Sequence, residues 1–339
     1  MKGSILVTGG TGYIGSHTVV ELIESGAEVI IIDNLSNSNV QVIDRIEKIT
    51  GVKPRFFDLD LCDRSALEAC LREAGKVDGV IHFAASKAVG ESVEKPLLYY
   101  RNNLLSLMNI LECMQSFDIP NMVFSSSCTV YGQPEKLPVD ESASILKATS
   151  PYGNTKQISE EILEDSSKAY PSLKVTSLRY FNPVGAHDSA LIGELPTGVP
   201  NNLVPFITQT AAGLRDSLKV FGDDYDTHDG TAVRDYIHVV DLAKAHVKTL
   251  QRMLEGKMET SFDYFNLGAG VGYSVLDVIK AFESVSGMKL NYAIAPRRPG
   301  DVEQIYADAT LANETLGWKA ERSLEDMMAS AWAWQQSLN

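Results

Sequence analysis

Short apolar runs rich in β-branched residues recur through the first half of the chain, and each is followed by a stretch with helical periodicity. Ile5-Leu6-Val7-Thr8 is the first run, and a helical stretch from Ser16 to Glu24 follows it, ending at Gly26. Glu28-Val29-Ile30-Ile31-Ile32 predicts a second strand that closes on Asp33, and Arg55-Phe56-Phe57 a third, before a helix over Ser65 to Glu73. Val77 to Phe83 predicts a fourth strand, Pro96 to Phe117 a long helix, Met122 to Ser125 a fifth strand and Lys174 to Pro183 a sixth. Continuously apolar strands alternating with helices imply an α/β protein with a doubly wound parallel sheet. Ligands of such a sheet collect outside the carboxyl ends of its strands.

The pattern changes after Gly185. Loops rich in Pro and Gly run to Gly230, interrupted by one amphipathic helix around Phe206 to Leu214. Asp235 to Asp241 predicts a strand and turn leading into a helix through Met253, and the chain closes with short elements and a helix near Ser323 to Gln336. There are no repeats, low-complexity tracts or flexible linkers. The expected division is a sheet domain over 1–183, with a strand and helix returning near 235–253, and a smaller mixed α/β unit over 184–339 interleaved with it.

The turn after the first strand is Gly9-Gly10-Thr11-Gly12-Tyr13-Ile14-Gly15. Glycines there let the backbone approach a pyrophosphate, and the N-terminus of the following helix offers it unpaired N–H groups. Asp33, ending the second strand, lies where a carboxylate accepts hydrogen bonds from an adenosine ribose, and it would repel a 2′-phosphate. The unit therefore points to NAD rather than NADP. Asp60, Phe83 and Ser127 lie at further strand ends. Small residues at Ala84-Ala85 allow a flat ligand to approach closely or the chain to pack tightly. Asn102 and Asn103, poor helix-interior residues, are placed to bond a loop or a ligand.

Ser150-Pro151 is a helix start, with Ser as N-cap and Pro at the first position. On that helix Tyr152 and Lys156 are four residues apart and face the same way. A phenol beside an ammonium is an acid–base pair, and the positive charges of Lys156 and a nicotinamide ring are expected to lower the Tyr152 pKa toward neutrality. A hydroxyl at Ser127 can hold a substrate oxygen while Tyr152 exchanges its proton.

Charge narrows the partners. A formal net charge of -14 gives no general attraction for nucleic acid or anionic membranes. An anionic small molecule must then be held by local arginines or helix N-termini. No apolar run approaches the ~20 residues needed to cross a bilayer, so the expected location is the cytoplasm. Cys62, Cys70, Cys113 and Cys128 lack metal-ligand spacing and read as reduced thiols, and no metal is expected.

Taken together, the motifs resemble those of the extended short-chain dehydrogenases/reductases and, within them, of the UDP-galactose 4-epimerases. The likeness rests on Thr8 to Thr18, Asp33-Asn34-Leu35, His82-Phe83-Ala84-Ala85 with Lys87 to Ser92, Phe124 to Ser127 and Tyr152 to Lys156. It continues through Arg179 to Pro183, Asn201-Asn202-Leu203, Val233 to His238 and Asn266-Leu267-Gly268, so it spans essentially the whole chain. The resemblance implies a Rossmann-type domain holding NAD and a UDP-hexose substrate whose C4 is transiently oxidised to a ketone, then reduced on its other face. It implies Tyr152, Ser127 and Lys156 as catalytic residues. Cofactor contacts carried over are Gly9, Gly12, Tyr13, Ile14, Gly15, Asp33, Asn34, Leu35, Asn37, Ser38, Asp60, Leu61, Phe83, Ala84, Lys87, Asn102, Tyr180 and Phe181. Substrate contacts carried over are Asn182, Asn202, Leu203, Lys219, Val220 and Phe221, with Arg234 and Arg298 on the diphosphate and Asp301 on the uridine ribose. Ile305 stands where the family gates the sugar pocket, between a bulky residue that restricts it to hexoses and a small one that admits N-acetyl sugars. A homodimer built on the helices near 96–117 and 150–170 is also implied. Related 4,6-dehydratases place an Asp-Glu pair just after the hydroxyl-bearing strand, where this chain has Cys128-Thr129. A UDP-glucuronate decarboxylase would need a basic partner for the carboxylate, a reductase exchangeable NADPH, and a non-catalytic sensor usually lacks the Tyr or the Lys.

Overall fold

A computed structural model describes residues 1–298 and 302–338. The first half alternates as expected. Its elements are β1 (Ser4–Thr8), α1 (Tyr13–Glu24), β2 (Glu28–Asp33), α2 (Gln41–Thr50), β3 (Arg55–Asp58), α3 (Arg64–Ala74) and β4 (Gly79–His82). There follow α4 (Val89–Glu94), α5 (Pro96–Ser116), β5 (Asn121–Ser127), α6 (Pro151–Ala169) and β6 (Lys174–Tyr180). Next come β7 (Asn182–Val184), α7 (Leu203–Ala211), β8 (Leu218–Phe221), β9 (Val233–His238), α8 (Val239–Leu254) and β10 (Phe262–Leu267). The chain closes with β11 (Gly272–Ser274), α9 (Val275–Ser286), β12 (Tyr292–Ala295), β13 (Gln304–Ile305), α10 (Thr310–Leu316) and α11 (Leu324–Ser337).

A seven-stranded sheet runs in the order β10-β6-β5-β4-β1-β2-β3, and every pairing in it is parallel. The order reverses between β1 and β4, so α1 leaves the sheet at the crevice where a doubly wound fold takes its ligand. The central strands are buried on both faces, with Ile5, Leu6, Val7 and Ile30 to Ile32 fully buried. One apolar cluster joins Val7, Val19, Ile31 and Leu242 on one face, and another joins Leu6, Ile30, Leu107 and Ile110 on the other. At ~25 cal/mol per Å² of apolar surface removed from water, these two layers are the main favourable term for the sheet domain.

Two expectations are corrected. The run Lys174 to Pro183 is not one strand: it breaks at Phe181, whose N–H donates to the Leu267 carbonyl at 3.1 Å, and β7 beyond the break pairs with β9 in a second sheet. Nor does the strand near 235 return to the large sheet. β9 is the hub of the four-stranded sheet, flanked by β7, β11 and β13, and the seat beside β6 is taken by β10. The buried Asp235 carboxylate holds β9 there by accepting from the N–H groups of Ala269, Gly270 and Ala307 at 2.7–3.0 Å. Helix α8 does return, packing on α1. Among the described residues no helix is long and apolar enough to cross a membrane.

Candidate active site

The glycine turn is shaped by its own backbone. Gly9 has φ +70°, its N–H donates to the Ile32 carbonyl at 2.8 Å, and a Cβ on it would lie 2.8 Å from the Ala84 nitrogen. A Cβ on Gly15 would lie 2.2 Å from the Gly9 carbonyl oxygen, so α1 packs against the turn as only glycine permits. Gly12 is the N-cap of α1 and no side chain caps it. The first N–H groups of α1 are thus directed to whatever anion enters the crevice. Asp33, 9% exposed, accepts from Thr11 N at 3.2 Å, Leu35 N at 3.0 Å and the Ser38 hydroxyl at 3.1 Å. The acid therefore braces the turn from the end of β2.

A cavity of about 810 Å³ opens over the carboxyl ends of the strands. Its wall includes Gly9, Gly12, Tyr13, Ile14, Gly15, Phe83, Ser127, Tyr152, Lys156, Tyr180 and Phe181 on the sheet side. Across it stand Asn182, Asn202, Leu203, Lys219, Phe221, Arg234 and Arg298. A second cavity of about 1630 Å³ shares Asp33, Asn37, Ala84 and Lys87 with the first, and adds Asn34, Ser38, Asp60, Leu61 and Asn102. A dinucleotide fits this pair of spaces on the evidence of the glycine cradle, the uncapped helix start and the acid at β2.

Not all expected residues reach these walls. Leu35, Val220 and Ile305 line neither cavity. Val220 is 1% exposed and points into the core of the second domain. Ile305 is 6% exposed and packs in a cluster with Tyr131, Val139 and Phe181, behind the wall rather than on it. Asp301 lies outside the described residues. Conversely, Glu194 lines both spaces, accepts from Asn202 Nδ2 at 2.7 Å and lies 3.7 Å from Lys87 Nζ. A single acid in a loop carries no local sequence signal. Asn102 and Asn103 serve the loop after β4: Asn102 donates to the Ser86 hydroxyl, and Asn103 ties the Ser86 backbone to Thr155 on α6.

Helix α6 begins as expected, with the Ser150 hydroxyl accepting from Gly153 N at 3.1 Å and Pro151 in the first turn. That start fixes Tyr152 and Lys156 over the end of β5. Lys156 is 4% exposed, donates to the Ser125 carbonyl, and sits 4.7 Å from the Phe124 ring and 5.9 Å from the Tyr152 ring. Burial drives its pKa down to about 7, while Glu160 pulls it up. The Tyr152 phenol is pushed up to about 12 by burial, opposed by its hydrogen bond with Ser127. The expected shift toward neutrality counts on a cationic nicotinamide ring as well as Lys156; in the protein alone, desolvation outweighs the Ser127 hydrogen bond. On the opposite wall, Arg298 stacks on Phe221 with its guanidinium carbon 3.9 Å from the ring centre. That places a cation beside an aromatic face, an arrangement suited to a diphosphate and a flat base.

Comparison with known proteins gives concordant results. Residues 6–331 match the family model described as GDP-mannose 4,6 dehydratase. The chain is 51% identical over 334 residues to a UDP-glucose 4-epimerase of Haemophilus influenzae, covering 98% of each chain. Its structure superposes on the UDP-glucose 4-epimerase of Bifidobacterium longum, solved with NAD+ and UDP, with a TM-score of 0.94 at 48% identity and 98% coverage of each chain. It also resembles the UDP-Glc/GlcNAc 4-epimerase of Campylobacter jejuni, with a TM-score of 0.85 at 37% identity and 99% coverage of each.

Proposed function

The chain belongs to the UDP-glucose 4-epimerase family of extended short-chain dehydrogenases/reductases, and on that premise we propose that it interconverts UDP-galactose and UDP-glucose with bound NAD. The observation that carries this reading is the convergence of Ser127, Tyr152 and Lys156 on one cavity that has the glycine turn at one end and Arg234, Arg298 and Phe221 at the other. When bound, NAD supplies the hydride acceptor that turns C4 into a ketone and the donor that reduces it from the other face.

The protein's residues supply the rest. Ser127 holds the C4 oxygen, and Tyr152 takes its proton and later returns it. A phenol held near 12 by burial stays protonated at neutral pH and cannot accept the proton, so productive turnover requires added positive charge nearby to stabilise its phenolate. Lys156 in its ammonium form supplies part of that charge, and the oxidised cofactor, when bound, would add to it. Arg234 and Arg298 hold the diphosphate, and Asn182 and Asn202 bound the space in which the sugar turns. A dehydratase reading fails for want of an acid–base pair, since Cys128 and Thr129 follow Ser127 and burial pushes the Cys128 thiol up to about 12.

The same reading includes a cytoplasmic homodimer. Its support is the apolar surface of α5, where Leu97 is 77% exposed beside Leu98 and Met108. Light scattering on the purified protein gives twice the chain mass if this holds. Ile305 bears on substrate breadth through Phe181, against which it packs, and its moderate size leaves room for weak turnover of N-acetylated UDP-hexoses.

The decisive experiment incubates the purified protein with UDP-galactose and no added NAD. Formation of UDP-glucose without net NADH supports the proposal. No conversion, or NADH accumulating in step with sugar oxidation, overturns it.

A further inference from the structure

Beneath Tyr152 and Lys156 lies a buried polar network that the reaction scheme leaves unused. Glu160 is one helical turn beyond Lys156 on α6, hence on the same face, and is 7% exposed. Its Oε1 accepts from the Ser126 hydroxyl at 2.5 Å and Arg179 Nε at 3.0 Å, and its Oε2 from Arg179 Nη2 at 2.6 Å. Ser126 and Arg179 are register partners on β5 and β6, so both side chains leave the sheet on the same face, where α6 covers them. Arg179 is fixed in turn. Its Nη1 donates to the Tyr131 hydroxyl at 3.0 Å, and its guanidinium lies 4.1 Å from the Tyr264 ring centre. Tyr131 passes the chain of bonds to Asn266 on β10 at 2.7 Å.

An ion pair buried this deeply is weak evidence of stabilisation, because desolvating both charges offsets their attraction. The placement suggests what else it does. The titratable and charged groups around Lys156 are Tyr152 and Glu160 on α6, His82 on β4, Cys128 just past β5, and Arg179 and Tyr180 on β6. Burial keeps His82 neutral with a pKa of about 3, and holds the Cys128 thiol and the Tyr152 and Tyr180 phenols protonated. The Glu160 carboxylate, paired with Arg179 at 2.6 Å, pulls the Lys156 pKa upward against the effect of burial.

We propose that Glu160 is a positioning residue for the reaction: clamped by Ser126 and Arg179, it locks the catalytic end of β5 to α6 and supplies the negative charge that keeps Lys156 an ammonium. Arg179 fixes the carboxylate, and Ser126 transmits its position to Ser127 and to the Ser125 carbonyl that Lys156 holds. This rests on the epimerase reading above, since it assigns the charge state of Lys156 to turnover at Tyr152.

The test uses the holoenzyme and three variants: Glu160→Gln, Glu160→Asp and the double variant Glu160→Gln/Arg179→Met, which removes both charges. Wild type must first convert UDP-galactose; if it does not, the epimerase reading fails and this proposal falls with it. Given conversion, the alkaline limb of the kcat profile is measured for each folded variant. In parallel, the Lys156 resonance of [6-13C]lysine-labelled protein is titrated, assigned by its loss in Lys156→Met. Without the carboxylate, both the limb and the titration midpoint move to lower pH by about one unit, and Glu160→Asp, which keeps a carboxylate, stays close to wild type. The double variant separates this from simple destabilisation, because it leaves no unpaired charge; since it removes the Arg179 cation as well as the nearer anion, its shift has the same sign as that of Glu160→Gln but is smaller. If the double variant folds and both readouts match wild type, the proposal is overturned, whatever happens to the stability of Glu160→Gln. If neither variant lacking the carboxylate folds, the role of the pair is structural and the proposal is likewise overturned.

Discussion

The two walls of the cavity are built on different principles. The sheet wall is made of backbone and tightly packed glycine: Gly9 and Gly15 leave no room for a Cβ between the turn, α1 and the segment after β4. The opposite wall is made of long side chains from segments far apart in sequence, with Arg234 on β9, Phe221 on β8 and Arg298 beyond β12. The first holds a ligand by shape and helix dipole, at fixed geometry. The second holds one by charge and stacking, through side chains contributed by separate segments. A protein that must keep its cofactor while letting a sugar turn over inside the pocket needs this asymmetry.

Five experiments press on that contrast, from the largest effect to the smallest. Tyr152→Phe removes the proton carrier common to both half-reactions; kcat should fall by roughly 10²- to 10⁴-fold while NAD released on denaturation stays at wild-type content. Substantial remaining turnover would move the role to Ser127. Gly15→Ala puts a Cβ 2.2 Å from a carbonyl oxygen, so the protein should purify with little bound NAD, read by chromatography of the released nucleotide; full occupancy would break the claim that this wall is set by shape. Arg234→Ala and Arg298→Ala should each cost about 1.5–3 kcal/mol of a charge-assisted contact, raising KM for the UDP-sugar about tenfold or more and leaving NAD in place. An unchanged KM in both would remove them from the substrate wall.

The fourth concerns acid. Burial lowers His17, His82 and His238 to about 3 and His246 to about 4. Below about pH 6.5 the unfolded chain binds protons at these positions, while the folded chain refuses them until far lower pH. The unfolded state then holds more protons, so stability falls as pH drops from about 6.5 toward 3. Glu21, raised to about 7, and Asp235, raised to about 6, act in the opposite sense between those values and the ordinary carboxylate range. Four histidines outweigh two acids, and the urea midpoint should be lower at pH 5 than at pH 7. A higher midpoint at pH 5 would mean the acids dominate. The smallest effect is at Ile305: Ile305→Tyr should reduce kcat/KM for UDP-GlcNAc relative to UDP-glucose by crowding Phe181 from behind, and an unchanged ratio would detach that residue from sugar selection.

The contrast also explains what the sequence disclosed. The glycine turn, Asp33 and the Ser150-Pro151 helix start are local devices, in which neighbours in sequence are neighbours in space, so spacing alone revealed them. The substrate wall has no such locality. Arg234 and Arg298 could be nominated only through resemblance, because nothing near them in sequence forms the other half of the grip. The break at Phe181 was invisible because Lys174 to Pro183 is uniformly strand-like; the carbonyl that claims the Phe181 N–H belongs to β10, more than eighty residues on. β10 was itself obscured because Phe262-Asp263-Tyr264-Phe265 mixes polar and aromatic positions, as an edge strand does. Glu160 was overlooked because, read along one helix, it is an ordinary acid in a polar stretch. Its importance appears only when two strands present Ser126 and Arg179 beneath it.

Phe181 has one more implication. It is the single residue between β6, which ends the large sheet's approach to the cofactor, and β7, which enters the sheet of the substrate domain. One residue therefore joins the sheet-side wall to the far wall, and the residues named for the far wall all lie downstream of it. Insertions or exchanges there can alter which sugar nucleotide is admitted without re-setting the alignment of the reacting atoms. The molecule thus separates what must be conserved from what can be edited, and new specificity can be sampled without first losing the chemistry.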